Sequence, residues 1–238
     1  MNPVRFVSEL EKYNINLSSK QQEQFRKYFH ILVDWNEKMN LTNLTSESDV
    51  YLKHFFDSIS LAFYLDMDKY EWVCDVGAGA GFPSIPLKIC FPYLKITIID
   101  SLQKRIRFLE HLAKELQLEG TTFVHARAED AGQNKKYREK FDLVTARAVA
   151  RMSVLSELCL PLAKVKGTFA AMKGAKVEEE LDAGIKAIET LGGKMNQLHS
   201  FNLPFENSER SIVIIDKVHQ TKKKFPRKPG EPNRNPIE

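Results

Sequence analysis

Apolar side chains recur at three- and four-residue steps through the first part of the chain. After Ser18-Ser19, Phe25, Tyr28, Phe29, Leu32, Trp35 and Met39 fall on one stripe. That stripe predicts an amphipathic helix of about 20 residues. A second helical pattern runs through Val50, Leu52, Phe55, Phe56, Ile59 and Leu61 to Phe63. Between the two, residues 40–45 alternate polar and apolar, too short for a helix and rich in capping side chains. From Glu71 the rhythm changes. WVCDVG, KITIID, TTFVHA and FDLVTA are short, β-branched, continuously apolar runs, separated by helical segments predicted at 84–91, 103–118 and 153–162. Continuous apolar strands alternating with helices imply a parallel sheet covered on both faces. After Lys166 come a strand (GTFAAMK), a charged helix at 177–191, and two strands at 196–203 and 211–218. With no helix between them, the last two predict an antiparallel hairpin at one edge. The expected fold class is α/β, a doubly wound, mostly parallel, Rossmann-like sheet. Residues 1–68 would form an N-terminal helical cap, 69–219 the ligand-binding domain and 220–238 a tail.

Composition supports a folded chain. Of 238 residues 43% are hydrophobic and 10% aromatic, enough to bury a core and to exclude wholesale disorder. Nothing approaches the uncharged apolar run of about 18 residues that spans a bilayer, so no membrane partner is expected. The start MNPVRFVSELEKY carries Glu9 and Glu11 and no signal-peptide stretch. Cys74, Cys90 and Cys159 are isolated, without the spacing of a disulfide scaffold or a zinc site. No metal is expected, and the implied setting is a reducing cytoplasm. Charge is more informative by place than by sum. The net +4 resides wholly in 220–238, where six basic side chains face two acidic ones and four of the ten prolines also lie. A Pro-rich basic tail on a balanced body points to an anionic partner, most simply nucleic acid.

The strongest local signal is Asp75-Val-Gly77-Ala-Gly79-Ala-Gly81-Phe82-Pro83, after the first strand and before a helix. Such glycines let the chain turn sharply and bring backbone close to a ligand. The dinucleotide fingerprint would need a glycine at 82, where this chain has Phe82. The G-x-G-x-G spacing instead suits a ligand without a pyrophosphate, or a purely structural turn. Asp100 ends the second strand 23 residues after Gly77, placed either to receive ribose hydroxyls or to cap a helix. The third strand leads to Ala126-Arg127-Ala128-Glu129-Asp130 and the fourth to Thr145-Ala146-Arg147-Ala148-Val149. Carboxyl ends of strands in open α/β sheets converge on one crevice. Together these segments favour S-adenosylmethionine over a nicotinamide cofactor.

In Trp35-Asn36-x-x-x-Asn40-Leu41-Thr42, His54-Phe55-x-Asp57-Ser58, DVGAGAGFPSIPL, Asp100-Ser101-x-x-Lys104-Arg105, Arg127-Ala128-Glu129 and Arg227-Lys228-Pro229-Gly230-x-Pro232, nearly the whole chain resembles the bacterial RsmG/GidB family. The resemblance implies a class I SAM-dependent methyltransferase that places a methyl on guanine N7 in the 530 loop of 16S rRNA, at position 527 in rRNA numbering. By it, Gly77, Phe82, Ala128, Glu129 and Arg147 match positions that contact SAM. With Gly79 and Asp100 these make up the expected cofactor site. The implied partner is 16S rRNA or a small ribosomal subunit particle, and a monomer is expected. An inactive RNA-binding assembly factor on the same fold is the alternative.

No side chain stands out as a catalytic acid or base. The place after the fourth strand reads Thr145-Ala146-Arg147-Ala148, without the proline turn of exocyclic-amine methylases, and Cys159 lies in an apolar helical stretch. Guanine N7 carries an in-plane lone pair that is free at neutral pH. Positioning and electrostatics are then enough. Arg147 would pair with the SAM carboxylate, grip an RNA phosphate, or face solvent. Arg151 would extend that basic edge or be solvated. His54 and Asp57 read as catalytic groups or as a helix-packing pair, and Asn36 and Asn40 as braces of the helix–loop junction. Lys222, Lys223, Lys224, Arg227 and Lys228 of the tail would contact RNA, unless the tail is a solvated end.

Overall fold

The computed structural model describes residues 1–175 and 177–238. The chain begins with a helix that the apolar stripes do not reveal, α1 (Pro3–Glu11), because only Phe6 and Leu10 of its nine residues are buried. Asn2 caps it by accepting from Arg5 N at 2.9 Å. Helix α2 (Ser19–Met39) starts in a capping box between Ser18 and Gln21 and stops where Asn40 turns left-handed, at φ 48° and ψ 58°. The second predicted helix is helical but not regular. It runs from α3 (Glu47–Asp49) into a π-helix (Val50–Phe56), then α4 (Asp57–Ile59), then a 3₁₀ turn at Ser60–Phe63. From Val50 to Leu61 only Lys53 and His54 are less than fully buried. A segment wrapped on all sides has no single apolar face, so packing rather than an α-helical stripe decides its winding.

Among the described residues, seven strands make one sheet: β1 (Trp72–Val76), β2 (Lys95–Asp100), β3 (Thr121–His125), β4 (Phe141–Arg147), β5 (Ala163–Lys173), β6 (Gly193–Asn202) and β7 (Glu209–Lys217), in the order β3-β2-β1-β4-β5-β7-β6. The first five pair in parallel, while β7 runs antiparallel to both β5 and β6. The expected hairpin is present, with its second strand turned inward against β5. Strand β4 is buried at every position but its last, whereas the edge strand β6 alternates with solvent. One face of the sheet carries the cap with α5 (Ser84–Cys90) and α6 (Gln103–Glu115), around Phe6, Phe25, Phe55 and Leu109. The other carries α7 (Ala128–Gln133), α8 (Met152–Cys159) and α9 (Val177–Thr190), around Leu155, Cys159, Phe169 and Ile188. Cys74, Cys90 and Cys159 are free thiols. Among the described residues no helix is long and apolar enough to cross a membrane.

The tail follows a fixed path over α7 and α8 and ends in α10 (Glu231–Arg234). Phe225 is buried in the second core. Arg138 donates to the carbonyls of Thr221 and Phe225, each at 2.7 Å, and Gln133 to that of Pro226 at 2.7 Å. Where the tail leaves β7, the buried ammonium of Lys217 donates to Leu160 O at 2.6 Å and to Thr221 Oγ1. Burial pushes that ammonium down to about 8. A free, fully solvated end is not what these contacts make.

Candidate functional site

Strands β1 and β4 are neighbours in the sheet although β2 and β3 intervene in sequence, so the strand order reverses between them. In an open α/β sheet that reversal opens a crevice at the carboxyl ends. Here it holds a cavity of about 480 Å³. Gly77, Gly79, Phe82, Asp100, Ala128, Glu129 and Arg147 all line it, so the structure brings the seven expected cofactor residues together.

The glycine loop forms the cavity floor. Gly77 donates to Ile99 O at 2.8 Å with φ +73°, and a Cβ there would stand 3.0 Å from Val149 Cγ2. Gly79 has φ +60° and nothing within 4 Å of the place a Cβ would take, so a side chain there would occupy the open space above the loop. The buried Tyr28 hydroxyl donates to Ala80 O at 2.5 Å and pins the loop to α2. Beneath it Asp75 accepts from Ser84 N at 3.1 Å, and its full burial raises the carboxyl to about 7. Asp100 is 2% exposed and ties three segments. It accepts from Leu102 N at 2.9 Å and, on its other oxygen, from Gly79 N and Arg105 Nη1 at 3.3 Å each. Asp100 therefore braces the turn into α6, whose N-cap is Leu102. Glu129 accepts from Gly230 N at 2.8 Å, so the tail touches the cavity wall.

Arg147 faces the cap rather than open solvent, its side chain 14% exposed. It donates to Asp57 Oδ2 at 2.9 Å, to Lys53 O at 3.1 Å and to His54 Nδ1 at 3.1 Å. These use three of its five N–H donors. Its guanidinium lies 4.9 Å from the centre of the Phe82 ring, and His54 stacks on the same ring at 4.4 Å. With Nδ1 accepting from Arg147, His54 carries its proton on Nε2 and donates to Thr42 Oγ1 at 2.7 Å. Burial, then the Arg147 charge, push this imidazole down to about 3, so it is neutral near neutrality. Thr42 is fixed in turn by Asn36 Oδ1, which accepts from Thr42 N at 2.8 Å. The expected bracing by Asn36 and Asn40 is realised, and its end product is the placement of His54. Thr42 and Tyr28 belong to the site without standing out as site residues in the sequence. The capping pattern around Asn40 is the signal that marks the first.

A second cavity of about 420 Å³ lies on the far side of Arg147, His54 and Ala148, over the ends of β4, β5 and β7. Lys173, Glu180 and Arg210 line it, and periodicity gives no hint of them. Asp57 reaches this cavity with one oxygen bonded to Arg147. Its buried Oδ1 has no hydrogen-bond partner and lies 3.3 Å from Arg210 Nε.

The basic residues expected at RNA divide. Lys222, Lys223, Lys224 and Lys228 are exposed along the tail. Arg151 pairs with Glu238 at 3.1 Å. Arg227 is committed inward, because the carboxylate of Glu157, with no side-chain exposure, accepts its backbone N at 2.8 Å and its Nη2 at 2.6 Å.

Residues 21–213 match the family described as GidB, rRNA small subunit methyltransferase G. The chain is 64% identical to Ribosomal RNA small subunit methyltransferase G of Bacillus velezensis over 238 residues, 100% of both chains. It is 60% identical to the Bacillus subtilis protein of that name, again over 100% of both. A SAM-dependent O-methyltransferase of Thermotoga maritima superposes with a TM-score of 0.51 at 15% identity, covering 80% of this chain and 72% of that one. That last likeness concerns the fold, a class I methyltransferase sheet.

Proposed function

The chain belongs to the rRNA small subunit methyltransferase G family, and from that premise we propose that it transfers the methyl group of SAM to N7 of a guanine in the 530 loop of small-subunit rRNA. The observation that carries this reading is the full-length likeness to those enzymes together with a cavity lined by every expected cofactor residue. The cavity suits the cofactor on its own terms. The bare backbone at Gly79 leaves room over the loop, a carboxylate ends β2, and a guanidinium ends β4.

SAM supplies an activated methyl, which the N7 lone pair takes as the carbon–sulfur bonding pair returns to sulfur. Around it, Asp100 receives ribose hydroxyls, and the Ala128–Glu129 turn meets the adenine edge. Arg147 uses a remaining N–H for the methionine carboxylate. No proton leaves N7 before attack, and among the described residues lining the cavity none is poised to take one. His54 is neutral with both ring nitrogens engaged, and a group that protonates near pH 3 is far from the range of an effective base at neutral pH. Its work is to hold Arg147 and Phe82 in place. Lys222, Lys223, Lys224 and Lys228 grip RNA phosphates. The enzyme acts as a cytoplasmic monomer on naked 16S rRNA or on a subunit particle.

The test is mapping of 7-methylguanosine in small-subunit rRNA from cells with and without the gene, paired with methyl transfer by the purified protein. One guanine of the 530 loop is expected to lose its methyl when the gene is absent. An unchanged map and no transfer would overturn the reading.

A further inference from the structure

If the adenosine lies toward the ends of β2 and β3, the strand order puts the methionine half toward β1 and β4. The transferable methyl then faces the wall of His54, Arg147 and Ala148. The second cavity opens on the other side of that wall, over β4 and β5. Its volume, about 420 Å³, falls in the ~300–1,000 Å³ range of ligand sites. We propose that this cavity receives the target guanine, turned out of the RNA, and that Glu180 and Lys173 read its Watson–Crick edge. The inference rests on the methyltransferase reading above and adds the acceptor site to it.

The chemistry of the lining carries the assignment. With N7 turned toward the methyl, the edge bearing O6, N1–H and the 2-amino group points away from the cofactor cavity. That edge presents acceptor, donor, donor. Lys173 and Glu180 stand side by side, Nζ to Oε2 at 2.6 Å, and offer donor then two acceptors in the matching order. Lys173 is held in place by donating to Ala150 O at 2.8 Å, while the Glu180 side chain is 37% exposed and free to turn. Adenine would bring its N1 lone pair against the carboxylate and offer nothing at position 2. Phe201, on the same lining, supplies an aromatic wall for a base that has left its stack.

The experiment uses the full-length protein and small-subunit rRNA made by splinted ligation with guanosine or inosine at the methylated position. Inosine keeps N7, O6 and N1–H and lacks only the 2-amino group. Wild type should methylate the inosine RNA roughly 10- to 100-fold more slowly than the guanosine RNA. E180Q should lose about as much on guanosine and then treat the two RNAs within about threefold of each other, a non-additive cycle that a merely structural role would not give. SAM affinity of E180Q, by calorimetry, should match wild type. An unchanged guanosine/inosine ratio in E180Q, or full turnover by it, would overturn the proposal while leaving the methyltransferase reading intact. Failure of wild type on guanosine RNA would instead strike the reading on which it rests.

Discussion

Two arginines tie added segments to the sheet, and they do so differently. Arg227 binds the tail to α8 through Glu157, and Arg147 binds β4 to the cap through Asp57. The Glu157 carboxylate is saturated, one oxygen accepting the Arg227 backbone N and Nε and the other its Nη2. Asp57 is half used, with Oδ2 on Arg147 and Oδ1 without a hydrogen bond. The first pair seals a core, while the second stands between two cavities and keeps N–H donors in hand. A closed ion pair marks architecture, and an open one marks a place where something else completes the bonding.

The largest effect should come from breaking the closed pair. E157A leaves an arginine half-buried without its anion and should cost roughly 3–5 kcal/mol in equilibrium denaturation, with SAM affinity unchanged. D57A should cost less, about 1–3 kcal/mol, because Arg147 keeps His54 and Lys53 O, but should slow methyl transfer at least about tenfold. Equal destabilisation by the two would erase the distinction. R147K keeps the charge and loses the planar fork, so transfer should fall about tenfold with weaker SAM binding and little loss of melting temperature. The open pair also has a pH signature. His54 binds a proton at 6.5 when unfolded and at about 3 when folded. Stability from this group is therefore constant above pH 6.5 and declines as pH falls toward 3. H54Q should flatten that decline in melts taken between pH 7.5 and 4.5. Smallest for stability is changing Lys222, Lys223, Lys224 and Lys228 to glutamine, within about 0.5 kcal/mol. The salt slope of RNA binding should nevertheless fall by about 0.7–0.9 for each phosphate no longer neutralised. Deleting 220–238 outright would strip Phe225 and Arg227 from the core and confuse the two roles.

The inner strands were legible because burial on both faces writes an unbroken apolar run, as in β4. The glycine loop was legible because positive φ at Gly77 and Gly79 selects glycine locally. What stayed hidden depends on distant partners. Nothing near Arg147 announces Asp57, 90 residues earlier, nor does the acidic run Glu178–Glu180 show which carboxylate meets Lys173. The tail's path was equally closed to composition, since Arg227 resembles its exposed lysine neighbours until Glu157 is placed beside it.

The π-helix at Val50–Phe56 has a further consequence, for insertions and deletions. A π turn holds more residues than an α turn, so removing one residue there would let an ordinary helix close. Everything downstream would rotate by ~100° relative to what precedes it. Asp57 would swing off Arg147 although no residue of either cavity had been substituted. The count of residues between Val50 and Asp57 is thus itself part of the site, and a relative one residue shorter there would keep the composition while losing the wall between the cavities.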